Sequence, residues 1–207
     1  MLFVAAAIVA AVPLMPERWI SPSDYPIEAL RKNHAGQVYY RLTISTTGRP
    51  IACEVEKSSG FEELDNLTCH LLMKRAHFDP ARDENGSAIM AAVSRRFSWW
   101  LPDVPRPTPG YYYDLALALN RLPDGVESPA HLDIAFLVNS AGATSQCVPV
   151  VSAWLPDTKV AKRVADTLGK VGCAQLYRLQ ARPAIAEDGA KARSVQMARV
   201  VFVTDPN

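Results

Sequence analysis

Val38, Tyr40, Leu42 and Ile44 alternate with more polar positions, the period-two pattern of a strand that buries one face. Gly48 and Cys53 follow, so the segment reads as a hairpin with glycine at its turn. The same series recurs 94 positions later as Leu132, Ile134, Phe136 and Val138, then Gly142 and Cys147. Next, Leu64, Leu67, Cys69 and Leu72 take helical spacing and match Leu168, Val171, Cys173 and Leu176, with Val160 and Val164 extending the second stripe. Pro80, Ala81 and Gly86 correspond to Pro183, Ala184 and Gly189, and apolar runs at Val93–Trp99 and Val195–Val203 predict terminal strands. Each half therefore reads hairpin, helix, Pro-Ala turn, strand, and the ordered matches indicate an internal duplication. Ahead of the first hairpin, Ile27, Ala29 and Leu30 predict a short helix; Tyr112–Leu122 stands at the corresponding place in the second half without matching register.

Two segments punctuate this pattern. Leu2–Val12 is almost purely apolar, Pro13 stops it, and Glu17 and Arg18 end it. The run is shorter than the ~20 residues that span a bilayer and suits the apolar region of an export signal, with Val9-Ala10-Ala11 offering small residues for cleavage. No Lys or Arg precedes it. An upstream start, a shortened anchor and a buried helix of the folded domain stay open beside the signal. Residues 1–15 are thus read as signal peptide or short anchor, which places the protein in the periplasm, released or held at the inner membrane. Pro102, Pro105, Pro107 and Pro109 cannot hold a helix or a central strand. They mark a linker over 101–115 between domains at 20–100 and 116–207.

Composition narrows the classes. Of 207 residues 49% are apolar, which excludes wholesale disorder, and 22 Lys and Arg against 21 Asp and Glu give no basic excess for nucleic acid. Four cysteines allow three pairings, and only Cys53–Cys69 with Cys147–Cys173 respects the repeat, each joining a hairpin strand to the helix covering it. No CxxC occurs, and Cys69 and His70 project about 100° apart on a helix, which disfavours a shared zinc ion. No cofactor or metal is expected.

The first half then resembles a known family. Tyr25-Pro26, Gly36-Gln37-Val38, Thr47-Gly48-Arg49-Pro50-Ile51, Ser58-Ser59-Gly60, Leu64-Asp65, Phe78-Asp79-Pro80-Ala81 and Gly86 together are similar to the TonB C-terminal domain over roughly Ser21–Trp100. The second half keeps only a degenerate subset. The motifs also have local roles: Ser58 and Ser59 are placed to cap the following helix, Gly60 to turn the chain, Asp65 to complement the helix dipole, and Pro80-Ala81 to end the helix. The resemblance implies an α+β fold, two tandem units each with helix packed on a small antiparallel sheet. It also implies docking of an extended peptide by strand addition at the last strand, here Val93, Arg95, Phe97 and Trp99.

Three functional readings follow. The first is a non-catalytic periplasmic module that docks extended peptides or envelope proteins, an outer-membrane TonB-dependent receptor among them; sheet edges also offer a homodimer contact. Arg95 and Arg96 either guard the edge or attract an acidic peptide. Phe97 reads as core or anchor, and Trp99 and Trp100 stay open between core, anchor and contact surface. The second reading is energy transduction, against which only about six residues separate the apolar N-terminal segment from the first motif and the 102–109 prolines span ~25 Å at most. The third is an enzyme using His34, His70, His77, His131, Asp65 or Asp83, but these form no nucleophile–base order or carboxylate pair.

Overall fold

A computed structural model describes residues 7–105, 113–150 and 159–204, with 159–161 as backbone only. Residues 1–6 of the apolar N-terminal segment, and Pro107 and Pro109 of the linker, lie outside the described residues. The strands are β1 (Val12–Pro13), β2 (Gly36–Ile44), β3 (Pro50–Lys57), β4 (Phe78–Asp79), β5 (Ala81–Arg82) and β6 (Ala88–Trp99) in the first half. The second half carries β7 (Leu115–Leu119), β8 (Ala130–Val138), β9 (Thr144–Val150), β10 (Ala184–Ile185), β11 (Lys191–Ala192) and β12 (Ser194–Thr204). Helices are α1 (Ile27–Arg31), α2 (Glu62–Arg75) and α3 (Lys159–Leu176). The fold is α+β, and among the described residues no helix is long and apolar enough to cross a membrane.

The two halves share one sheet, in the order β3-β2-β6-β12-β8-β9. Within each half the pairing is antiparallel and equivalent: Leu42 faces Cys53 and Val93, and Phe136 faces Cys147 and Gln196. Between halves β6 and β12 run parallel, with Met90–Ala92 beside Ser194–Gln196. Val195 lies beside Ala91, although Ser194 is the residue that faces Val138 as Ala91 faces Ile44. The seam is therefore shifted by one residue from the equivalence of the halves. A one-residue shift exchanges sheet faces. As a result Val38, Tyr40, Leu42 and Ile44 pack with Leu64, Leu71 and Leu72 of α2, whereas Leu132, Ile134, Phe136 and Val138 pack with Ala165, Leu168 and Leu176 of α3. Ala135, Leu137 and Val195 lie in the first of these cores, so α2 and α3 cover opposite faces of the sheet.

Several expectations are corrected. Helix α2 ends at Arg75, where Ala76 turns extended, rather than at Pro80-Ala81; Pro80 instead separates the short strands β4 and β5. Within Tyr112–Leu122, which has no register match in the first half, Leu115–Leu119 is a strand paired with Val200–Thr204. Residues 7–20 form no α-helix, only a single 3-10 turn at Pro16–Arg18. They run along the first half, where Val9 and Arg82 exchange backbone hydrogen bonds, β1 pairs with β4, and Ile8, Ala11, Trp19 and Ile20 enter the core.

Both expected disulfides are present: Cys53–Cys69 and Cys147–Cys173, with Cα–Cα separations of 5.5 and 5.7 Å. Each ties the hairpin's outer strand to its covering helix. Loops of this length give each bridge roughly 3 kcal/mol on the chain-entropy account. Replacing both cysteines of either pair by Ala is expected to lower the unfolding free energy by about that amount, read from denaturant titrations of the two double variants against the oxidised parent.

Candidate functional site

The docking strand expected from the sequence splits in two. At Ala91–Ala92, β6 is a central strand flanked by β2 and β12, and Met90 also pairs with β12. Beyond Gln196 the second strand leaves: the Asp114 carboxylate accepts the Arg199 N–H at 2.7 Å, the Asp114 N–H donates to the Arg199 carbonyl at 2.8 Å, and β7 then takes Val200–Thr204. Among the described residues Val93–Trp99 pairs with β2 alone. The four expected site residues sit on the α2 side of this half-strand. Val93 and Trp99 are buried, and Arg95 and Phe97 are half-buried. The Trp99 indole donates to Thr68 Oγ1 at 2.8 Å and meets Tyr25 and Phe97 edge-on at about 5 Å, so Trp99 is a core residue. Trp100 is exposed and donates to the Val104 carbonyl.

The strand-to-helix turn is built around one carboxylate. Asp65, in the first turn of α2 and nearly buried, accepts the Ser58 hydroxyl on one oxygen. Its other oxygen accepts the Ser59 N–H at 2.9 Å and the Ser59 hydroxyl at 2.8 Å. The Ser58 Oγ accepts the Gly60 N–H. These serines therefore do not cap the helix; Phe61 is the N-cap and has no side-chain capping bond. At the hairpin tip Gly48 holds φ +80°, and a Cβ there would sit 1.9 Å from the Phe78 carbonyl oxygen. The Phe78 N–H donates to the Gly48 carbonyl across this approach. Gly142 against Ala181 repeats the arrangement in the second half, with the Ala181 N–H donating to the Gly142 carbonyl.

This combination of hairpin, serine–aspartate turn and long last strand agrees with the match found by sequence comparison. Residues 21–101 match the Gram-negative bacterial TonB protein C-terminal family. No curated protein and no solved structure matches the chain.

The TonB C-terminal match begins at the Ser21 turn, where the sequence motif has a physical anchor. Tyr25 donates its hydroxyl to the His34 carbonyl and packs on Trp99, Pro26 opens α1, and Leu64 is fully buried. Gly86 makes the tight turn between β5 and β6. Asp24 accepts both Arg75 nitrogens, at 2.7 and 2.8 Å, and the Ser21 N–H at 2.8 Å. The Arg75 guanidinium beside Asp24 holds its carboxyl well below the usual carboxylate range. The titratable residues considered for catalysis are dispersed: His34 pairs with Glu63, His77 with Arg49, and Asp83 with the Asn85 and Ser87 amides of its own turn. His70 and His131 are exposed.

Two features escaped the sequence reading. Arg41, on the face opposite α2, donates to Gln196 Oε1 and to the Arg182 carbonyl, while Arg182 pairs with Glu54 and Glu56. A cavity of about 290 Å³ also lies on the α2 side, between residues 11–20 and the β2–β6 pair, with Tyr40 and Arg95 in its wall. Neither leaves a local sequence signal, because each joins residues distant along the chain.

Two outcomes are expected. Asp65→Ala leaves the Ser58 and Ser59 donors without their acceptor and lowers stability by about 2–3 kcal/mol, measured by denaturant unfolding. For Asp24, a depressed folded pKa means the stabilisation is complete above the ordinary Asp value of about 4 and is lost as pH falls below it. Thermal midpoints of Asp24→Asn measured down to pH 2 should therefore fall less steeply in acid than those of the parent.

Proposed function

We propose that the chain is a cell-envelope interaction module of the TonB C-terminal type that docks an extended peptide or protein segment by strand addition and performs no turnover. The observation that carries this reading is the half-strand Val93–Trp99, paired on one side by β2 and left by β12 after Gln196. Such a strand presents main-chain donors and acceptors to an incoming segment. Because Val93 and Trp99 are committed to the core, affinity comes from the backbone, and side-chain selectivity from Arg95 and Phe97. The family match supports an envelope protein as partner, an outer-membrane receptor segment being the chemistry the fold suits. Two disulfides suit the oxidising periplasm, in line with export directed by the N-terminal apolar segment. The second half is a degenerate second unit on this reading, covering the part of the strand that would otherwise lie open.

The test is amide hydrogen exchange of the full oxidised chain with a synthetic receptor-derived peptide. Added protection is expected at Ser94–Ser98 and is lost when alternate peptide nitrogens are methylated. Binding that survives methylation, or protection confined to other strands, would overturn strand addition.

A further inference from the structure

The cavity of about 290 Å³ is close to the lower end of the range of roughly 300–1,000 Å³ for ligand pockets. Its floor is a piece of the β2–β6 pair: Tyr40 lies directly opposite Arg95, and Leu42 opposite Val93. Trp19, Ile20 and Phe78 make its apolar walls.

Three polar side chains belong to this lining: Arg96 is exposed and alternates to the other face of the sheet, whereas Tyr40 and Arg95 stand on the cavity side with bonding capacity unused. Tyr40 is only 7% exposed, yet its hydroxyl has no hydrogen-bond partner among the described residues. The described residues contain no fully enclosed side-chain polar atom without a partner, so this hydroxyl is reachable from the cavity. Burial pushes the phenol up to about 12, which keeps it protonated and able to donate. Arg95 donates one bond to the Ser94 carbonyl, and no carboxylate among the described residues pairs with it. A guanidinium and a phenol on adjacent strands of one apolar cavity supply positive charge and donors, and leave the rest of the space to hydrocarbon.

We propose that this cavity binds a small monocarboxylate with an apolar body, the carboxylate taken by Arg95 and Tyr40 and the apolar part lying against Trp19, Leu42 and Phe78. The donor count fits the group. A carboxylate has two oxygens, which one guanidinium fork and one hydroxyl can satisfy. A phosphate brings more charge and more acceptors than these two side chains can bond, and the excess would be stranded against apolar walls. The site shares Arg95 and Phe97 with the strand-addition surface but lies over the sheet face, whereas strand addition uses the backbone at the strand edge.

An acyl chain and the C-terminus of an apolar peptide both present this chemistry. Calorimetric titration of the full oxidised chain with octanoate and with N-acetyl-leucyl-leucine separates the two sources, with 1-octanol and octylamine as controls. Saturable one-to-one binding of at least one carboxylate is expected, at least about tenfold tighter than the alcohol, with no binding of the amine. Arg95→Gln should weaken the carboxylate at least about tenfold and Tyr40→Phe about threefold, each leaving the alcohol unchanged. Ligand-dependent change in Trp19 emission, abolished in Trp19→Phe, places the binding event in this cavity. Tyr40→Phe keeps the ring and its packing, so it carries the test should Arg95→Gln fail to fold. Equal affinity for octanoate and octanol, affinity unaltered by Tyr40→Phe, or no saturable binding of either carboxylate would overturn the proposal.

Discussion

Three residue pairs between parallel strands, Met90–Ala92 against Ser194–Gln196, decide how the whole molecule is put together. An antiparallel pair, or a parallel pair in register with the equivalence of the halves, would set different faces side by side. The one-residue shift makes the buried face of the first half continuous with the opposite face of the second. Each hairpin then brings its own helix, and the helices have to lie on opposite sides. The same short contact explains why, among the described residues, Val93–Trp99 pairs with β2 alone: β12 pairs with β8 over Ser194–Phe202, and once Asp114 captures Arg199 the other side of β12 belongs to β7.

Such a short seam needs support from side chains, and the polar face supplies it. Ser194 and Gln196 are buried polar residues at the seam, and the Gln196 amide N–H donates to the Arg182 carbonyl while its oxygen accepts from Arg41. Arg182 reaches back to Glu54 and Glu56, and Arg193 to Glu84 and Asp83, so charges of the second half answer charges of the first. The surface pairs are individually weak, whereas the buried Gln196 amide, held by Arg41 and the Arg182 carbonyl, costs stability unless its bonds are satisfied. Polar contacts of this kind specify register, because slipping the seam by one residue would bury Gln196 against the apolar face.

The sequence made the local elements legible and left the long-range ones hidden. Alternation at Val38–Ile44 and Leu132–Val138 found both hairpins, and the cysteines placed each helix on its hairpin, because burial of one face and a covalent bond are written in single positions. The serine motif was visible but its mechanism was not: capping was expected, and Asp65 turned out to be the centre that the serines serve. Tyr40 was read correctly as an inward-facing strand residue, yet nothing local announces that a cavity stands over it. That depends on where residues 11–20 cross the sheet, which is a tertiary fact. Likewise Val93–Trp99 gives no sign in its own sequence that its first neighbour on β12 will leave after Gln196.

The fold draws unequally on the N-terminal segment, whose apolar run, Leu2–Val12, is the proposed export signal. The fold uses a later portion most firmly: β1 pairs with β4, the Leu14 N–H donates to the His77 carbonyl, the Trp19 indole donates to the Leu14 carbonyl, and Arg75 donates to the Trp19 carbonyl. Ile8 and Ala11 add buried apolar contacts, and Val9 adds a single backbone bridge to Arg82. Cleavage after Ala11 would remove those contributions and one residue of the cavity wall, but it would leave Pro13, Pro16, Trp19 and Ile20 tied by their own hydrogen bonds and packing. The wall that encloses Tyr40 and Arg95 is therefore held by residues beyond the apolar run, and the cavity is compatible with either a processed or a retained N-terminus.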